Sequence, residues 1–178
     1  MQQMLTKLRR RREDERGFTL IELMVVVLII AILIAIAIPT FLGAKSRAQD
    51  KAAQSSLRNA LTNAKGVYTD QDSFGATSAA LVTGLTAAEP SLTFQTTAST
   101  GAKVVSVNVI SQYQLAMAAK SSSGTCYVIG DDAQGPGTVF KNLGTASCDA
   151  STVTSVPAVG SPPTITNAAA GGGWAQAW

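Results

Sequence analysis

The sequence predicts an α+β protein in which a long N-terminal α-helix, half transmembrane and half amphipathic, packs on a small antiparallel β-meander. Three observations predict it. Leu23 to Ile38 is an unbroken run of 16 apolar residues, and counting back to Phe18 extends the stretch to 21. The residues that follow carry apolar side chains mostly four apart, without a helix breaker between Lys45 and Lys65, which is the spacing of one helix face. After Gly101 the period changes to two, and short turn-forming stretches separate the segments, as strands and hairpins require.

The elements follow in chain order. Residues 1–17 form a polar, basic leader, with Lys7, Arg9, Arg10, Arg11, Arg12 and Arg16 against Glu13, Asp14 and Glu15. The rest of the chain balances its charges, so the net +3 resides in this leader. It reads as a topology signal that holds the N-terminus in the cytoplasm. Residues 18–43 are the membrane-spanning part: 21 apolar residues rise about 30 Å, the thickness of a bilayer's hydrocarbon core. A secretory signal has a shorter apolar region of ~7 to 15 residues before its cleavage site, and Ala35 and Ala37 imitate such a site only weakly. Pro39 lacks an amide hydrogen and crowds the carbonyl one turn back, and Gly43 adds freedom one turn later. A bend or a loosened turn is expected there.

Residues 44–66 are the amphipathic half, with Ala44, Ala48, Ala52, Leu57, Leu61, Ala64 and Tyr68 marking the apolar face and an end expected near Gly66. Straight, the helix from Phe18 to Lys65 would extend about 70 Å. Residues 67–101 read as a connecting region with one short helix near Ser78 to Leu81. Residues 102–150 hold the sheet, three or four strands drawn from "KVVSVNVI", "QYQLAMAAK", "TCYVIGD" and "GTVFKNL". Its apolar face needs a cover, which the helix supplies. Residues 151–178, rich in Ser, Thr, Pro, Gly and Ala, read as a flexible tail. Its Trp174 and Trp178 are either anchors for a partner or incidental aromatics.

Composition excludes several functions. The chain is 46% hydrophobic and only 14% charged, against about 25% charged in an average soluble domain. Such a chain belongs in a membrane or among copies of itself. It contains no histidine, which rules out a Ser-His-Asp triad and removes the commonest transition-metal ligand. No phosphate loop ending Gly-Lys-Ser/Thr occurs, and nothing implies a cofactor. The balanced body gives no bulk electrostatic reason to bind nucleic acid. Cys126 and Cys148 are too few for a structural zinc site. Both lie in the half expected to be exported, where a disulfide is the expectation and two buried thiols the alternative.

The stretch "RGFTLIELMVVVLIIAILIAIAIP", Arg16 to Pro39, resembles the class III leader and N-terminal helix of type IV pilins and pseudopilins. A basic leader ending in Gly17, then Phe18, Thr19, Leu20, Glu22 and an apolar run to Pro39 carry the likeness. It implies the pilin fold and a structural, non-enzymatic role. It also implies that a membrane-embedded prepilin peptidase cuts between Gly17 and Phe18 and methylates the new amine of Phe18. The product would first be a single-pass precursor in cytoplasmic-membrane lipid. It would then polymerise with itself into a surface filament, through an assembly platform and its ATPase. The function implied is a structural subunit of a type IV pilus; a pseudopilin of a secretion or competence machine, or an anchored extracellular domain that never polymerises, are the alternatives.

Glu22 is the anomaly in the run. A lone carboxylate in hydrocarbon costs ~2.5 kcal/mol or more, so it needs a cation, a proton or the headgroup region. It stands one helical turn past Phe18, whose amine exists only after cleavage. That amine in its own chain is one partner for Glu22; by the resemblance the partner is instead the amine of a neighbouring subunit, and the pair sets axial register, because sliding apolar helices have little register of their own. The metal expectation is none. Asp131 and Asp132, beside Gly135 and Gly137, are a weak calcium alternative, since secretion pseudopilins use calcium near their C-terminal sheet.

Overall fold

The computed structural model describes residues 17–135, 137–157 and 173–178. The leader before Gly17 lies outside the described residues, as does most of the tail. The elements are α1 (Leu20–Gln71), α2 (Ser78–Ala88), β1 (Thr93–Gln95), β2 (Val104–Val109), β3 (Gln114–Lys120), β4 (Cys126–Asp132), β5 (Gly137–Gly144) and a 3-10 turn at Ala150–Thr152. The chain divides into two compact units at Ala44 and Lys45, each treated by itself below.

The unit from Lys45 onward is an α+β layer fold. Its sheet runs in the order β1-β2-β3-β4-β5. The four antiparallel strands from β2 to β5 agree with the expected meander, and the register Val105↔Ala119, Met117↔Ile129 and Ile129↔Phe140 carries one face across it. Val105, Val107, Leu115, Met117, Ala119, Tyr127 and Ile129 pack in one core with Ala53, Leu57, Ala60, Leu61 and Ala64 of α1 and Leu81 and Leu85 of α2. Small alanines on α1 let the helix lie close to branched strand side chains, the dense packing that interiors require.

Three features differ from the sequence reading. First, α1 does not stop at Gly66; it runs to Gln71 and ends where Asp72 takes a φ of +52°. Aspartate tolerates the left-handed conformation that terminates helices. Burial outweighs the ~1 kcal/mol that an interior glycine costs, because Val67 and Tyr68 both pack against the core, and Tyr68 stands 4.9 Å from the fully buried Phe74. Second, the connecting region holds an eleven-residue helix and a fifth strand, β1, parallel to β2. Thr77 caps that helix, its hydroxyl accepting from Ala80 N. The buried Ser99 braces the crossover between β1 and β2: its Oγ accepts from Lys120 N at 2.9 Å and its N donates to Cys148 O at 2.7 Å.

Third, the sheet is covered on both faces. Ala116, Ala118, Cys126 and Val128 form a second core with Cys148, Ala150 and Val153. Asn108 Nδ2 donates to Val153 O at 3.0 Å and Ala150 N donates to Ser106 Oγ at 3.0 Å, fastening this layer along β2. Cys126 and Cys148 form a disulfide, with Cα atoms 5.3 Å apart, which ties the layer to β4. The start of the expected flexible tail is therefore ordered. So is Gly173–Trp178, whose Ala175 pairs with Phe140 on the outer edge of β5.

Candidate functional site: the N-terminal junction and apolar helix

Gly17 is exposed, and a Cβ built on it would meet nothing within 4 Å. Phe18 follows, 80% exposed. The helix then starts by a local device. Thr19 precedes Leu20, the first helical residue; its backbone N donates to Glu22 Oε2 at 2.9 Å, and its hydroxyl donates to the same oxygen at 2.7 Å. Glu22 N in turn donates to Thr19 Oγ1 at 3.3 Å. This is a capping box, in which two residues three apart satisfy each other's orphan groups at a helix start.

Glu22 thus has a local role that the sequence reading missed, and Thr19, named there only as part of the likeness, is its partner. The signal was present: threonine followed three residues later by glutamate, just before an apolar run. Both hydrogen bonds fall on Oε2, and Oε1 has no partner among the described residues. Phe18, Ile21, Glu22, Val25 and Val26 line one shallow concavity, so Phe18 and Glu22 lie together on one side of the helix, as their spacing predicts.

From Phe18 to Leu42 the apolar side chains have no interior to enter. Leu20, Met24, Leu28, Leu33 and Ile36 each stay at least 60% exposed, and every exposed large hydrophobic among the described residues lies in this stretch. An apolar surface of that extent is covered by lipid or by protein. By length and composition the helix can cross a membrane.

Helical structure continues through Pro39 and Gly43, with no melted turn. The hydroxyl of Thr40 donates to Ala37 O at 2.9 Å and lies 3.2 Å from Ile36 O. It supplies extra bonding on the turn where proline lacks a donor.

The weak calcium alternative finds no support. Asp131 is buried and its carboxylate is occupied: Lys65 Nζ stands 2.9 Å from Oδ1, and Thr138 Oγ1 donates to the same oxygen at 2.7 Å. Asp132 accepts from Gln114 Nε2 at 2.8 Å and Gln134 N at 3.0 Å. Neighbouring strand residues point to opposite faces, which parts the two carboxylates. Among the described residues no group of three or more metal-ligating side chains converges.

Residues 13–38 match the family model described as the prokaryotic N-terminal methylation motif. No curated protein and no solved structure matches the chain. The motif implies processing by a prepilin peptidase and polymerisation into a filament, and the family that carries it is structural rather than enzymatic. A methylation-type junction, an apolar N-terminal helix and a disulfide-tied α+β unit together support a pilin-like or pseudopilin precursor, with a class III signal at residues 13–38.

Proposed function

We propose that the protein is a structural subunit of a type IV pilus. The observation that carries this reading is the conjunction of the methylation motif at 13–38 with an apolar helix whose side chains are uncovered from Phe18 to Leu42. Lipid covers that surface before assembly, and the same helices of neighbouring subunits cover it afterwards.

Cleavage between Gly17 and Phe18 is the switch. Gly17 brings no side chain to the peptidase, and the arginines before it hold the junction at the cytoplasmic face. Cutting removes the basic residues that oppose extraction and creates the Phe18 amine, which methylation leaves able to carry a proton. In the free subunit Glu22 caps its own helix through Oε2. In the filament its carboxylate faces the Phe18 amine of a neighbour, and this charge pair in an apolar core fixes axial stagger. Hydrophobic contact alone is nearly indifferent to sliding, whereas the attraction of opposite charges is strong in low dielectric and weakens with every ångström of separation, so it favours one stagger.

Replacing Glu22 with alanine tests this role. Membrane insertion and leader cleavage are expected to persist, because neither needs the carboxylate, while the filament fraction falls or disappears. A normal filament yield from Glu22→Ala would remove Glu22 from assembly. A pseudopilin would show the same cleavage with no subunit in material sheared from the cell surface.

A further inference from the structure

The outer edge of β5 is a strand-accepting site. Phe140 N donates to Ala175 O and Ala175 N donates to Phe140 O, both at 2.8 Å. The two tryptophans flanking this pair seat on opposite faces of the sheet. Trp174 lies over Gly130, where any Cβ would come within 2.9 Å of its ring, and Val156 borders the same space. Lys141 Nζ stands 5.9 Å from the Trp174 ring. On the other face Trp178 meets Phe140 edge-on at 4.6 Å and Tyr127 at 5.8 Å, and the Arg58 guanidinium stands 5.3 Å from its ring. Every receptor group lies between Arg58 and Val156, within the stretch from Ala53 to Val156 that holds the buried residues of both cores.

We propose that in the filament this segment is exchanged between copies, Trp174–Trp178 of one subunit seating on β5 of a neighbour. Three observations favour a second copy as the occupant. The contacts are identical whichever chain supplies the segment, so exchange loses no contact, the condition under which swapping of an element is cheap. The receptor is the edge strand of the sheet, and edges accept strands of any chain through backbone bonds. Fifteen residues, "AVGSPPTITNAAAGG", separate Pro157 from Gly173, and a chain of that length reaches at most about 50 Å. Helices packed side by side lie about 8–10 Å apart, so neighbouring heads come within that reach. Several neighbouring β5 edges then compete with the subunit's own, at comparable effective concentration. The exchange would link heads that otherwise hold together only through the apolar core.

This inference rests on the filament reading, and one experiment separates them. Gln176 and Lys141 each follow the paired residues by one position, and diagonal neighbours of this kind stand about 7–8 Å apart. Two full-length chains, Lys141→Cys and Gln176→Cys, carry different tags and are co-expressed; sheared filaments are treated with a short bis-maleimide. The expected result is a band at twice the subunit mass that carries both tags and is missing when either variant is expressed alone. The same band should be lost when Gly130→Val is added to the Lys141→Cys chain, because the valine occupies the Trp174 seat. Filaments that form normally but yield no doubly tagged band, while the double variant Lys141→Cys/Gln176→Cys closes within one chain, would overturn exchange and leave the filament reading standing. Absence of the subunit from sheared material would overturn both.

Discussion

At the scale of single residues, Glu22, Thr19 and Gly130 do work that their neighbours cannot replace. Glu22 serves two partners in succession, first the start of its own helix and then, in our reading, another subunit's amine. Thr19 is its first partner, and the capping bonds at 2.7 and 2.9 Å hold the carboxylate beside the junction. Gly130 is a space-maker rather than a turn residue: it sits inside β4, and its missing Cβ is what lets the edge of the Trp174 ring come up against the strand. Gly130→Val should lower stability by about 1–3 kcal/mol, the range for forcing extra atoms into a packed site, read as a lower denaturant midpoint. Gly66 is the converse case. It lies inside α1 with open space where a Cβ would go, so Gly66→Ala should stabilise the fold by about 0.5–1 kcal/mol. Thermal unfolding of the detergent-solubilised chain checks both signs.

Two tyrosines set a further residue-scale expectation. Burial, reinforced by the nearby Asp50, pushes the Tyr127 phenol above its ordinary value near 10; burial and Asp72 push Tyr68 the same way. A group held protonated in the folded state contributes stability that is complete below its unfolded pKa and is lost as pH rises through the folded one. Stability should therefore hold through neutrality and begin to fall above about pH 10. Tyr127→Phe should flatten part of that alkaline decline; an unchanged pH profile would show that Tyr127 does not contribute to it.

At the scale of elements, the disulfide and the ion pair between Lys65 and the buried Asp131 fasten different layers. Cys126–Cys148 binds the segment after β5 to the face of the sheet away from α1, and Lys65–Asp131 binds α1 to the other face. Removing both cysteines, by Cys126→Ala with Cys148→Ala, should cost about 3 kcal/mol and lower Tm by about 10 °C. The four strands of the meander were legible in the sequence nearly to the residue, because alternating apolar side chains and turn-forming stretches both mark them. The end of α1 was not. Gly66 carries the stop signal, yet the burial of Val67 and Tyr68 overrides it, and the true stop depends on Asp72 adopting an unusual backbone angle. β1 was hidden by its length of three residues, too short for any alternation to show. The docking of Trp174 and Trp178 depends on Gly130, Phe140 and Arg58, far away in sequence, and no local pattern announces a contact of that kind. At the junction, by contrast, the methylation motif is local and was legible in the sequence, while the capping bonds between Thr19 and Glu22, marked by an equally local spacing, were not read from it.

At the scale of the whole molecule, one segment has two environments in succession. The apolar helix is an anchor while lipid surrounds it and, in our reading, a filament core once other helices do; proteolysis at a single bond converts the first state to the second. In this reading the helix supplies the adhesive surface, Glu22 the register, and the disulfide-tied unit the outer surface of the polymer, and the chain is asked only to be cut, modified and stacked. The most direct measurement is the intact mass and N-terminal residue of the subunit in material sheared from the cell surface. The account predicts a chain that begins at Phe18, one methyl group heavier than the bare amine, with both cysteines oxidised. A full-length chain beginning at Met1, found with the membranes and missing from the sheared fraction, would contradict it.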